Sequence, residues 1–247
     1  LVLLKFIKMG DEMLKKGAIK IAIVVVIGFI VFQIFSFTKS KEKETYADTD
    51  KIKVEEISKD PVHKKSEYIP GEKPLYVDGV LVVNKDYGLP SDYAPESGSE
   101  DTQAMKAFNE MKEAAKKDGI RINVRSGYRS YDTQVDLYNN YVKADGKKAA
   151  DRYSAIPGFS EHQTGLALDI TTGNTQRPIG TWFDDTPQAK WLYENAYKYG
   201  FILRYPKGKE ATTGYMYESW HYRYIGKEHS KNFKMNDLTL EEYLGLK

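Results

Sequence analysis

The chain has 247 residues, 41% hydrophobic and 13% aromatic, with 29% charged residues of both signs and a formal net charge of +2. That is the make-up of one enzyme-sized folded domain with additional segments, and it excludes a wholly disordered chain. Cysteine is absent, which excludes disulfides, thiolate nucleophiles and sulfur-rich zinc sites, so any metal must be held by His, Asp or Glu.

Five lysines (Lys5, Lys8, Lys15, Lys16, Lys20) precede an apolar run from Ile21 to Phe37, which Ala18 and Ile19 extend. About 20 helical residues nearly cross a hydrocarbon layer of ~30 Å. A cleaved signal peptide is the rival reading, but its apolar region is shorter, roughly 7 to 15 residues. The sequence therefore predicts a cytoplasmic N-terminus over 1–17, a transmembrane anchor over 18–37 and an exported body. Residues 38–70 are rich in Lys, Glu, Asp, Ser and Thr and read as an extracytoplasmic linker. His63 has no companion there and reads as an exposed bystander. The body, 71–247, is near neutral and has no basic block, so it offers no electrostatic case for nucleic-acid binding.

Within the body, the run after Pro74 carries strand formers around Asp78-Gly79, the signal of a small hairpin. Met105, Phe108, Met111 and Ala115 recur at helical intervals between Asp101 and Lys117, and Gly119 stops them. Ile120, Ile122 and Val124 alternate as in a half-buried strand. Helical spacing resumes over Tyr131 to Ala144, and Leu166 to Ile170 is a short strand. Pro187 opens another helix that Gly200 ends. Phe201 to Tyr205 and Tyr215 to Tyr224 read as strands, and Thr239 with Glu242 forms a capping box for a last short helix. Irregular interleaving without a glycine-rich phosphate loop predicts an α+β fold, a small antiparallel sheet flanked by helices.

Two polar segments hold the chemistry: Ser160-Glu-His162-Gln-Thr-Gly165-Leu-Ala-Leu-Asp169 and Glu218-Ser-Trp-His221. Two His and one Asp make a sulfur-free set that suits zinc and leaves a fourth position for water. Glu218, three residues before His221, is placed to take a proton if the chain turns locally. Each motif alone also fits a hydrogen-bonded His in a turn or an Asp closing a strand. Asp184 and Asp185 read as a solvated loop rather than a glycosidase pair. His229 reads as a surface residue, and Trp220 as packing behind the site.

Together, S-x-H-x-x-G-x-A-x-D and E-x-W-H resemble the signature of the VanY-type D-alanyl-D-alanine carboxypeptidases, zinc peptidases related in fold to hedgehog domains. The resemblance runs from about Leu75 to Leu244 and includes Arg125-Ser-Gly-Tyr-Arg129-Ser, Tyr199-Gly-Phe-Ile-Leu-Arg204-Tyr-Pro and His221-Tyr-Arg-Tyr. It implies that His162, Asp169 and His221 hold Zn2+ and that Glu218 is the catalytic base. It further implies that Arg129 anchors the substrate near its scissile end, with Gln134 and Ser160 as further contacts to the peptide. The implied substrate is a peptidoglycan stem peptide that loses a terminal D-alanine by D,D- or L,D-carboxypeptidase action. Two other readings stay open at this level: an endopeptidase that cuts cross-links, and a zinc-bearing cell-wall-binding module without catalysis. The sequence does not give the oligomeric state.

Overall fold

A computed structural model describes residues 63–173 and 177–247. The expected anchor over 18–37 and most of the linker lie outside these residues. Among the described residues no helix is long and apolar enough to cross a membrane.

The hairpin β1 (Leu75–Val77) and β2 (Val80–Val82) turns at Asp78-Gly79, where both residues take positive φ. Next comes α1 (Thr102–Lys117), started by the Asp101 carboxylate, which accepts from the Gln103 and Ala104 amides. Its buried residues Ala104, Ala107, Phe108, Met111 and Ala115 form one stripe at helical spacing. Then follow β3 (Asn123–Ser126), α2 (Tyr131–Asp145), α3 (Lys147–Ala150), β4 (Ala167–Thr171), α4 (Pro187–Asn195) and β5 (Phe201–Leu203). The chain ends with α5 (Glu210–Thr213), β6 (His221–Tyr224), α6 (Lys227–Asn236) and α7 (Leu240–Tyr243).

Four strands form one antiparallel sheet in the order β3-β4-β6-β5. Because side chains alternate across a strand, Leu168 and Ile170 of β4 and Tyr222 of β6 enter the core against α1 and α4. Asp169, His221 and Arg223 take the other face. One face is thus a packed interior in which truncating Leu168 or Ile170 to Ala would cost about 2–5 kcal/mol, and the opposite face is polar. A second core unites the hairpin with Ile202, Ile225, Phe233, Leu240 and Leu244.

The expected α+β architecture and most elements are present, with instructive differences. The strand expected over 120–124 begins at Asn123, because Ile122 is buried without joining the ladder; alternation reports burial before it reports pairing. The strand expected over 215–224 is only His221–Tyr224. Its first half is irregular, and the His221 amide donates back to Glu218 O. Helix α6 was not expected, since it buries only Ser230 and Phe233 and its apolar spacing is sparse. The capping box at Thr239 and Glu242 is formed as the sequence predicts.

Two histidines depart from expectation. His63 is no bystander: its Nδ1 lies 2.6 Å from Asp78 Oδ2, and its ring fills the space where a side chain on Gly245 would sit. His229 is half-buried, with Nδ1 3.0 Å from the Tyr243 hydroxyl.

Candidate metal centre and catalytic cleft

A turn and a strand pair assemble the centre. Ser160 leads into a short 3-10 helix, Glu161–Thr164, which ends at Gly165 with φ +70°. A Cβ there would lie 2.9 Å from Ser99 O and from the Asp101 amide nitrogen, so both the backbone angle and the close approach demand glycine. The turn feeds β4, whose Asp169 stands directly opposite His221 of β6. His162, Asp169 and His221 are all buried, and one ligand atom of each lies within 4.8 Å of the others. His162 Nε2 is 3.5 Å from Asp169 Oδ2, and His221 Nδ1 is 3.2 Å from Asp169 Oδ1.

The second nitrogen of each imidazole aims the first. His162 Nδ1 meets Gly127 O at 2.7 Å and His221 Nε2 meets Glu161 Oε2 at 3.2 Å. With protons on those atoms, the lone pairs of His162 Nε2 and His221 Nδ1 face Asp169, the geometry of a ligand pair held from behind. Burial lowers the pKa of His162 and favours the neutral ring that binds metals. Burial also opposes charge on His221, but Asp169 and Glu161 outweigh it and push the ring up to about 9. Proton and metal therefore compete for one lone pair. Burial raises Asp169, yet the two histidines hold it well below the usual carboxylate range. A buried set of two nitrogens and one oxygen, without sulfur, fits zinc.

Behind His221 lies a buried quartet that sequence reasoning missed. Glu161 Oε1 accepts from Arg204 Nε at 2.8 Å and from Arg223 at 2.9 Å. Arg204 forks onto both oxygens of Glu241 in α7, at 3.0 and 2.6 Å. Burial pushes Glu161 up, and the two guanidiniums and His221 outweigh it and hold it charged. The available signal was a charge inside an apolar strand: Arg204 follows Phe-Ile-Leu, and Arg223 sits between tyrosines. A buried charge requires a partner, but nothing in the sequence says which.

Glu218 is fixed by its neighbours. Its amide donates to Tyr205 O at 3.1 Å, and Ser219 Oγ donates to the Asp184 carboxylate. Asp184 is thus a brace for the Glu218–His221 turn rather than a freely solvated loop acid. Burial pushes the Glu218 carboxyl up to about 7; a carboxylate 3.8 Å from His221 Nδ1 with that affinity for a proton suits general base work near neutrality. Trp220 packs against the main core, as expected, and also lines the cleft.

The cleft encloses about 290 Å³ and brings Arg129, Ser160 and Glu218 together with the His-Asp-His set. The Arg129 amide donates to His162 O at 3.1 Å, which ties its loop to the centre. Burial draws the Arg129 pKa down, and Asp169, Tyr141 and Glu218 pull it back up. Gln134 does not line this cleft. It is buried behind Arg129, accepting from it at 2.8 Å and donating to Ala155 O at 2.6 Å, so its amide orients the guanidinium and is already engaged.

Comparison with known proteins gives the family. Residues 98–227 match the family described as VanY, D-alanyl-D-alanine carboxypeptidase. The chain belongs to the VanY family. A relative named putative carboxypeptidase YodJ, from Bacillus subtilis (strain 168), is 45% identical over 180 residues, a match that takes in 66% of this chain and 66% of YodJ. The solved structure of an L,D-carboxypeptidase, DacB of Streptococcus pneumoniae, is similar with a TM-score of 0.62 and 43% identity, covering 74% of this chain and 97% of DacB. A vancomycin-resistance D,D-pentapeptidase VanY, solved in complex with Zn(II), has a TM-score of 0.56 and 35% identity, covering 66% of this chain and 97% of its own.

Proposed function

We propose that this VanY-family chain is a zinc-dependent carboxypeptidase that releases terminal D-alanine from peptidoglycan stem peptides. The observation that carries the reading is the placement, in one cleft, of a His-Asp-His set, a carboxyl that burial pushes up to about 7 and the half-buried guanidinium of Arg129. His162 Nε2, Asp169 and His221 Nδ1 would hold the zinc, which lowers the pKa of a water and polarises a carbonyl. Glu218 takes one proton from the attacking water as the new C–O bond forms. It returns that proton to the leaving amine nitrogen as the C–N bond breaks. Arg129 pairs with the free carboxylate of the departing D-alanine through two parallel hydrogen bonds. That pairing favours an exopeptidase over a cross-link endopeptidase, and Glu218 favours an enzyme over a binding module.

The L,D specificity is the better supported of the two, because identity to the L,D-carboxypeptidase DacB exceeds identity to the D,D-pentapeptidase. The apolar run at 18–37 with its preceding lysines supports a single-pass anchor that places this domain outside the cell membrane. Incubation of the zinc-loaded protein with defined tri-, tetra- and pentapeptide stems, read by mass, tests the reading. Loss of one D-alanine from the tetrapeptide is the L,D outcome, and loss of one from the pentapeptide is the D,D outcome. An intact set of peptides removes the proposal.

A further inference from the structure

Four tyrosines line the cleft, and their hydroxyls differ in employment. Tyr153 donates to Asp145 at 2.5 Å and Tyr215 to Phe159 O at 3.4 Å. Tyr141 is half-buried at the rim, edge-on to Tyr153. Tyr205 is 6% exposed, and its hydroxyl has no hydrogen-bond partner among the described residues. That hydroxyl is also not sealed in the interior, where the single unpartnered side-chain atom among the described residues is Gln163 Oε1. A buried tyrosine normally satisfies its O–H. This one is left to face the cleft.

Its ring is held firmly in place. It lies over the His221 imidazole, centroid to centroid 4.8 Å at 37°, and against Tyr215 at 4.9 Å. The Arg204 guanidinium carbon is 5.0 Å from the ring centroid on the adjacent residue. The Tyr205 carbonyl also holds the Glu218 amide. Tyr205 therefore touches one residue of the metal set, supports the chain that carries the base, and presents the cleft with a proton donor that no group among the described residues uses.

We propose that Tyr205 is a further catalytic residue, its phenol donating a hydrogen bond to the scissile carbonyl oxygen as that oxygen gains charge. The inference rests on the carboxypeptidase reading above. As water adds to the carbonyl carbon, the π pair moves onto the oxygen, and the Tyr205 O–H, fixed by its ring packing, meets the developing charge without reorganising. The phenol keeps its proton throughout. When the C–N bond breaks, the C=O bond re-forms and the amine takes its proton from Glu218, so Tyr205 ends as it began.

The test is Tyr205→Phe, which preserves the ring and removes only the oxygen. Loss of one such donor is expected to lower kcat by about 10²-fold, with KM, zinc content and melting temperature near those of the parent. Affinity for a stem peptide whose scissile amide is replaced by a tetrahedral phosphinate, measured by calorimetry, should fall by a similar factor, whereas affinity for released D-alanine should not. Parent-like kcat and phosphinate affinity in the variant would overturn the proposal. So would a fall in kcat with unchanged phosphinate affinity, or a fall in both that follows loss of zinc, which would make Tyr205 a support for His221 only. If the parent itself leaves every stem intact, the carboxypeptidase reading fails first and this inference falls with it.

Discussion

Glu161 Oε2 stands 3.2 Å behind His221 Nε2, so a carboxylate with no place in the ligand set decides which nitrogen of that ring faces Asp169. The carboxylate keeps its charge because Arg204 and Arg223 share its other oxygen. Replacing Glu161 by Gln retains an acceptor but removes the charge, and zinc affinity is expected to fall about 10- to 100-fold. Competition with a chromogenic chelator measures it, and parent-like affinity would deny Glu161 this role. Glu161→Ala leaves two guanidiniums underpaired in the interior and is expected to destabilise the fold by about 3–5 kcal/mol in urea unfolding.

The ligand and base roles separate experimentally. His162→Ala and His221→Ala should purify without stoichiometric zinc. Glu218→Ala should retain zinc and lose at least about 10²- to 10⁴-fold in turnover, the range for a general acid-base group. Metal content and rate are read on the same preparations, and a Glu218→Ala enzyme with normal turnover would remove the mechanism while leaving the metal set standing.

The raised carboxyl of Glu218 also has a stability signature. Its folded pKa of about 7 exceeds the ordinary 4.5, so the folded state holds this proton more tightly than the unfolded chain. Stability is therefore lost as pH rises from about 4.5 to about 7, and the penalty is full above that window. Glu218→Gln should stabilise the chelated protein by about 3 kcal/mol at pH 8, with the gain over the parent shrinking towards pH 4.5. A gain independent of pH would show that burial does not disfavour this carboxylate. In the zinc-loaded enzyme the cation favours the carboxylate, so the acid limb of kcat/KM should lie no higher than about pH 7.

Arg129 offers a double-substitution cycle. Amidating the terminal carboxylate of the stem removes a charge-assisted contact of about 1.5–3 kcal/mol, and kcat/KM should fall roughly 10- to 150-fold. The same amidation should cost Arg129→Ala much less. Equal losses in both enzymes would clear Arg129 of anchoring, and equal hydrolysis of acid and amide by the parent would favour an endopeptidase.

Orientation is tested on spheroplasts. Protease added outside should digest the domain if residues 18–37 anchor it with lysines inside; protection until lysis would place the domain in the cytoplasm.

The parts of this protein legible in its sequence are those that local rules govern. The α1 stripe and the Thr239 capping box each depend on neighbours within a few residues. The metal-type residues were legible because two short motifs carry all of them. What escaped was set by contacts across the chain: Glu161 with Arg204, 43 positions apart, and Gln134 turned back onto Arg129 and Ala155 rather than into the cleft. Asp184 was misplaced for the same reason, since a residue's side of a turn is fixed only when the turn packs.

The fork between Arg204 and Glu241 gives the last short helix a duty out of proportion to its length. A four-residue helix has little stability of its own, yet α7 supplies the counter-charge that lets Arg204 stay wholly buried beside Glu161. Cutting the chain after Asn236 would remove no cleft residue, but it would strand a guanidinium one step from the carboxylate that aims His221. Fusions and truncations at this end should accordingly be judged by zinc retention as well as by yield, because damage at the tail would reach the His-Asp-His set through charge.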